Sequence, residues 1–469
     1  MNHILRPFAC LLLAGSAAPA LAAVSTAVDP AEIAAAKTIL KDSVGFDTVK
    51  GRGKVPAYAA YLKDVLVKGG FPASDITITP VGETANLHLV WKGSGPNNSS
   101  AAPIAIAAHM DVVEADPKDW TRDPFVAVEE NGYVFGRGVL DNKFDLSMVT
   151  EALITLKARG FKPGRDIHVF FSGDEETEGA TAAIQAKQAK AAGVAYLLNT
   201  DAGGGGLDKD GKPVAYTISA SEKTYADYQV TVTDPGGHSS RPTATNAIAI
   251  LAEATDKIAA YKFPAQIDEV TRASMKAFGA LSTDASAKAM LAYAANPRDE
   301  AAIATLRADP GTVGQIGTTC VPTMITGGHA PNALPQKAVL TVNCRIFPGV
   351  SIESVRADLE RVAADPRAKV TIVQEWTSTP ASPLRPDVMA AVGKAVSTAH
   401  PGIPVVPVME AGATDGVYYR ALGIPAYGVA GVFVKDNDVF AHGLNERAPV
   451  AAIGPALQHW QVLITELAK

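Results

Sequence analysis

Apolar residues recur at helical spacing over residues 30–43 and again over 55–68, where Gly69-Gly70 closes the second segment; both patterns predict helices that cover a sheet. Residues 76–79 and 86–91 read as strands, and the Gly, Asn and Ser-rich stretch 93–100 as a surface loop. The apolar run 104–108 predicts a strand that ends at His109. Residues 116–133, with Trp120, Pro124 and Gly132, read as irregular up to the Gly136-Arg137-Gly138 turn, which places Asp141 on a loop. From 143 to 159, Leu146, Val149, Leu153 and Leu156 mark one helical face, and Gly160 is a natural stop. A strand over 166–172, a helix over 178–192 and a strand over 195–200 then deliver Asp201. This alternation of strand and helix argues for an α/β sheet. Four consecutive glycines, Gly203 to Gly206, predict a loop beside Asp201.

The pattern changes near Tyr225. A strand over 227–233, a turn at Pro235-Gly236-Gly237-His238, a helix over 246–261, strands over 319–326 and 338–346, a helix over 351–364 and a strand over 369–374 give the order of a split βαβ layer. Residues 263–317 interrupt that layer with Ala-rich helical sequence, for which a covering or partner-contact role is expected. After Thr379 the first pattern resumes, with a helix over 386–400 and short strands near Val405 and Ala426. The expected organisation is a mixed-sheet α/β unit over 23–224 and 377–469, flanked by helices, into which a smaller α+β unit over 225–376 is inserted.

Composition narrows the class. At 469 residues, with 47% hydrophobic and 19% charged residues, the chain is long enough for two to three units and has the balance of a globular protein. A net charge of −6 without any Lys/Arg-rich run excludes nucleic acid as an expected partner. At the N-terminus, Arg6, the apolar segment from Phe8 and the small-residue site Ala20-Leu21-Ala22 read as an export signal over 1–22. The mature chain is therefore expected in the periplasm or secreted, and not in a membrane, since no later segment reaches about 18 apolar residues. Cys10 precedes most of the apolar region, so lipid attachment is not expected. Cys320 and Cys344 flank a hairpin; a turn centred near Asn332 would set them opposite each other, and both a disulfide and two buried thiols fit that register.

The chemistry gathers between residues 104 and 179. His109 and Asp111 leave one face at the end of a strand, where open α/β sheets build sites. A histidine with a carboxylate two residues on fits a metal ligand with an orienting partner. Asp141 and Glu176 could complete a metal shell, which leaves Glu175 free to act as a base.

These segments are His109-Met110-Asp111-Val112-Val113, Gly136 to Lys143, and Asp174-Glu175-Glu176. With Gly237-His238-Ser239-Ser240-Arg241-Pro242, Asn332 before Pro335, Arg345 and a late His442, they resemble the co-catalytic di-zinc exopeptidases. That family includes glutamate carboxypeptidase, the carnosine dipeptidases, carboxypeptidase S, acetylornithine deacetylase and succinyl-diaminopimelate desuccinylase, and the resemblance covers nearly all of the mature chain. It implies two zinc ions, or other divalent metals such as cobalt or manganese, with Asp141 bridging them, Glu176 and His442 completing one set of ligands, and His109 and Asp201 the other. It further implies Glu175 as general base, Asp111 as the carboxylate orienting His109, His238 as the group that stabilises the oxyanion, often from a partner subunit, Arg345 as the grip on a substrate carboxylate, and Asn332 as a nearby contact. Thr414, in Ala411-Gly412-Ala413-Thr414-Asp415-Gly416, is a weaker candidate for another contact, and the family's habit of a cis peptide after the bridging carboxylate points to Asp141-Asn142. The 225–376 unit becomes a lid and a surface for homodimerisation. Two features depart from the pattern: Glu114 stands where many relatives have proline, and Asp201, where some have Glu, resembles the dipeptidase and carboxypeptidase S side. His88, His168, His329, His400 and His459 match no family role. The expected activity is hydrolysis of a small peptide next to a free carboxylate; the alternatives are an N-acyl amino acid hydrolase at the same site, or a catalytically silent binding protein on this scaffold.

Overall fold

The computed structural model describes residues 25–94, 101–374, 376–438 and 440–469; the expected export signal and most of the 93–100 loop lie outside the described residues. The first helix, Pro30–Val44, starts where Asp29 accepts the Ala31 and Glu32 amides and Glu32 reaches back to the Asp29 amide, a capping box with proline at the first helical position. The second, Val55–Lys68, buries Tyr58, Leu62 and Leu66 and ends at Gly69.

These helices cover a ten-stranded mixed sheet. Its order is Ile76–Val81, Thr84–Trp91, Ile167–Ser172, Ile104–His109, Leu197–Asn199, Ala426–Gly428, Pro213–Glu222, Gly204–Leu207 and Phe433–Lys435, with Val405–Glu410 paired to Pro213–Glu222 off this path. Ile104–His109 lies between parallel neighbours on both sides and all six of its residues are buried, as a strand covered on both faces requires. The helix Lys143–Ala158 is buried nearly all round rather than on the single face its leucines marked. It packs between Pro30–Val44 and the C-terminal helix Ile453–Leu467, so even its polar positions must find partners. Asp145 accepts from Trp460 Nε1 at 2.6 Å and the Gly431 amide at 2.7 Å, and Lys143 donates to the Phe46 carbonyl at 2.8 Å.

The four-glycine stretch is a strand, not the expected loop. Gly204–Leu207 pairs parallel with Phe433–Lys435 and antiparallel with Pro213–Glu222. Glycine is needed here for close approach: a Cβ on Gly205 would stand 2.0 Å from the Phe433 ring.

At Lys223 the chain leaves this sheet for a second, antiparallel one in the order Thr319–Gly327, Lys337–Ile346, Thr224–Thr233, Ala368–Ile372. Helices Ala247–Ala260, capped by Asn246, and Ile352–Ala363 bury Ile250, Leu251, Val355 and Leu359 against it. Cys320 and Cys344 stand opposite each other in this register, 4.1 Å apart at Cα, and form a disulfide. The helices of the interrupting stretch, Glu269–Gly279, Ala285–Ala295 and Glu300–Ala308, enclose their own small core around Tyr293, Leu306 and Ile316. Glu269–Gly279 packs on Val405–Glu410 of the large sheet, and Gln315 Nε2 donates to the Met409 carbonyl at 3.2 Å, so these residues cover the large sheet.

Candidate active site

Parallel strands ending at the same side of the sheet bring the acidic residues together. Ile104–His109 ends in His109 itself, Ile167–Ser172 leads to Glu175 and Glu176, and Leu197–Asn199 leads to Asp201. Asp141 comes from the turn before Lys143–Ala158, and His442 from the loop before the C-terminal helix. Asp141 meets both histidines, one with each oxygen: Oδ1 lies 2.9 Å from His109 Nε2 and Oδ2 lies 3.2 Å from His442 Nε2. His109 Nε2 also stands 3.6 Å from Asp201 Oδ1, and His442 Nε2 stands 3.0 Å from Glu176 Oε1. The peptide Asp141-Asn142 is cis.

Asp111 stands behind this cluster. Its carboxylate accepts the Glu175 amide at 3.1 Å and the Glu176 amide at 3.0 Å, and its Oδ1 lies 3.6 Å from His109 Nδ1. One buried carboxylate thus touches the segments of a histidine and of two glutamates.

The electrostatics are those of an anionic site. Burial together with the Asp141 charge pushes the Asp201 carboxyl up to about 7, and burial with Asp201 holds Glu175 well above the usual carboxylate range. Burial alone would depress His109, but Asp201, Asp111 and Asp141 hold its proton well above the ordinary imidazole range. Hydrogen bonds to Asp141 and Glu176 raise His442 to about 10. Two geometric groups could hold a metal ion, His109 with Asp141 and Glu176, and His109 with Glu175 and Asp201. Both groups use His109 and neither includes His442, but imidazole nitrogen and carboxylate oxygen are donors that zinc accepts, and divalent charge would relieve the crowding of carboxylates that raises Asp201 and Glu175, so the donor set fits a divalent metal ion.

Residues 105–466 match Peptidase family M20/M25/M40. The chain belongs to that family. It is 28% identical over 370 residues to the N-fatty-acyl-amino acid synthase/hydrolase PM20D1 of Xenopus tropicalis, covering 77% of this chain and 72% of the relative. A probable carboxypeptidase S-like 2 of Dictyostelium discoideum is 26% identical over 386 residues, covering 78% and 72%. The fold is similar to the M20 family metallo-carboxypeptidase Sso-CP2 of Sulfolobus solfataricus, with a TM-score of 0.68, 18% identity, and coverage of 93% of this chain and 99% of that one. This M20 chain is accordingly a hydrolase of the metallo-exopeptidase class.

Two cavities flank the M20 cluster. One, of about 400 Å³, runs from Glu175 and Glu176 to Arg345, Lys223, Tyr225 and Trp376. The other, of about 560 Å³, is bordered by Asp141, Asp201 and His442 and has apolar walls at Leu140, Ala430, Val432 and Val434. Thr414 lines both, its hydroxyl donating to Glu222 Oε1 at 2.7 Å. Arg345 lies over the Tyr225 ring at 4.8 Å and donates to the Ala411 carbonyl at 3.0 Å. Lys223, buried, donates to the Gly314 and Gly317 carbonyls, and burial followed by the Arg345 charge lowers its ammonium to about 8.

His238 and Asn332 lie elsewhere. His238 lies on the two-stranded ribbon of Gly237–His238 with Ala333–Leu334 and Asn332 in the turn just before it, where its carbonyl accepts the Ser239 amide; both are exposed and border neither cavity. Of the histidines without a family role, His88 and His168 hydrogen-bond each other at 2.9 Å and stack on Phe170, while His459 packs against Tyr216. Glu446 and Arg137 escaped the sequence reading. They form a buried ion pair at 2.7 Å against the Asp141 turn. Their only sequence signal was a glutamate four residues after His442 and an arginine between two glycines.

Proposed function

We propose that this M20 chain is an exported, zinc-dependent amide hydrolase of the carboxypeptidase or dipeptidase type, which cleaves next to a free carboxylate. The observation that carries the reading is Asp141, which offers one oxygen to the His109–Asp201 side and the other to the His442–Glu176 side, between cavities that lead to Arg345 and to an apolar wall. His109, Asp141 and Asp201 would hold one ion, and Asp141, Glu176 and His442 the second. Two ions there would supply electrophilic pull on the amide carbonyl and bring the pKa of a water towards about 7. Glu175, which lines both cavities, takes the proton of the attacking water and passes it to the departing amine nitrogen. Asp111 keeps the His109 ring oriented through its backbone carbonyl, 3.1 Å from Nδ1, while its carboxylate holds the Glu175 and Glu176 backbone in place. Arg345 pairs with the substrate carboxylate, its fork matching two oxygens.

Residues 23–224 and 377–469 are taken as the catalytic unit and 225–376 as a lid that brings His238 and Asn332 towards the substrate, from the same chain or across a homodimer. Exposed Val321, Met324 and Ile325 on the edge strand Thr319–Gly327 support the homodimer. Among the described residues no helix is long and apolar enough to cross a membrane.

A second reading, hydrolysis of N-acyl amino acids, is favoured by the relative named N-fatty-acyl-amino acid synthase/hydrolase and by the Leu140, Ala430, Val432 and Val434 wall, which suits an acyl chain. The test is mass spectrometry of products from zinc-loaded chain given dipeptides, longer peptides and N-acyl amino acids. Peptide cleavage supports the first reading, and cleavage confined to acyl amino acids the second. Silence with zinc bound refutes both in favour of a binding protein.

A further inference from the structure

Glu446 follows His442 by four residues and lies more than three hundred residues from the Asp141 turn, yet its buried carboxylate takes four donors from that turn. Arg137 Nη1 at 2.7 Å and the Gly138 amide at 2.9 Å reach Oε2, and the Leu140 amide at 2.8 Å and the Asp141 amide at 3.0 Å reach Oε1. The Glu446 carbonyl accepts the Gly136 amide at 3.0 Å. Arg137 also donates to the His442 carbonyl at 3.4 Å, so one guanidinium spans both loops. His442 itself sits in the left-handed region at φ +63°, a backbone that a non-glycine residue keeps only where its surroundings hold it.

We infer that Glu446, locked by Arg137, is the positioning residue that sets the distance between the Asp141 loop and the His442 loop, and so couples the two halves of the metal site. This rests on the di-metal reading above. A carboxylate is required because all four partners are donors: an amide in its place offers one acceptor oxygen and turns an NH₂ group towards two of them. Loss of such an outer partner characteristically weakens a metal site ten- to a hundredfold.

The test is zinc binding to the full chain, by elemental mass spectrometry and by competition with a chelator of known affinity, in wild type, Glu446→Gln and Arg137→Lys. The expected result is two zinc ions in wild type and at least tenfold weaker binding of one or both in Glu446→Gln, with the metal-free circular dichroism unchanged and kcat falling while KM holds. Arg137→Lys, which keeps the charge but not the fork, should lose affinity less; it carries the test alone should Glu446→Gln not accumulate as folded protein, and wild-type zinc affinity in it then overturns the inference. Normal zinc binding in wild type and an unchanged affinity in Glu446→Gln would overturn the positioning role alone. A wild-type chain that takes up no zinc overturns the parent reading and this inference with it.

Discussion

Replacing Glu175 by Gln separates base from ligand. The Glu175 backbone is fixed by the Asp111 carboxylate through its amide at 3.1 Å, a contact the substitution leaves intact, and the amide side chain is nearly isosteric. What disappears is an acceptor for the water proton. Positioned acid–base groups contribute about 10²–10⁴ in rate, or about 3–6 kcal/mol of barrier at roughly 1.4 kcal/mol per decade. The variant should therefore retain both ions and an unchanged KM while kcat falls by at least about a hundredfold. Steady-state kinetics on the best substrate, with metal content measured on the same sample, gives both readouts. Two results would refute the reasoning. Near-normal kcat would remove Glu175 from the chemistry. Loss of an ion would make Glu175 a ligand, as its ligand atom lies within 4.8 Å of those of His109 and Asp201.

Arg345→Met should raise KM for free-acid substrates by roughly ten- to a hundredfold and leave carboxamide-capped analogues untouched; equal effects on both would deny it the carboxylate. Lys223, whose ammonium titrates near 8, adds positive charge to the same cavity below that pH and none above it, so KM for free acids should climb above about pH 8 in wild type and stay flat in Lys223→Met. A chain lacking residues 1–22, denatured without reductant, should show no titratable thiol. Replacing Cys320 and Cys344 by Ser should lower its unfolding free energy by about 2–4 kcal/mol in denaturant titration, from a bridge spanning 24 residues.

Local pattern carried most of the fold because apolar runs and glycine stops mark most of the elements in the sequence. The His109 strand, the Asp141 turn and the Asn246-capped helix are each legible within a dozen residues. What pattern could not reveal depended on distant partners. Gly204–Leu207 contains no side chain to alternate until Leu207, and it is a strand because Phe433, more than two hundred residues away, lies against Gly205. Pro213–Glu222 and Ile453–Leu467 passed without notice, the first between the four glycines and the change of sheet, the second at the end of the chain. In the site, ligand-type residues announced themselves by order and motif. Glu446 and Arg137 did not, because a glutamate accepting backbone amides across the fold looks in sequence like any surface charge. His238 and Asn332 are brought together by the pairing of Gly237–His238 with Ala333–Leu334, which neither motif announced, and they lie apart from both cavities.

The central claim, that Asp141 is shared between two divalent ions, is tested most directly by counting metal. Elemental mass spectrometry of the purified chain, stripped with chelator, reloaded with zinc and freed of excess by gel filtration, should give two ions per chain. A plateau at one ion, or none, would contradict the account.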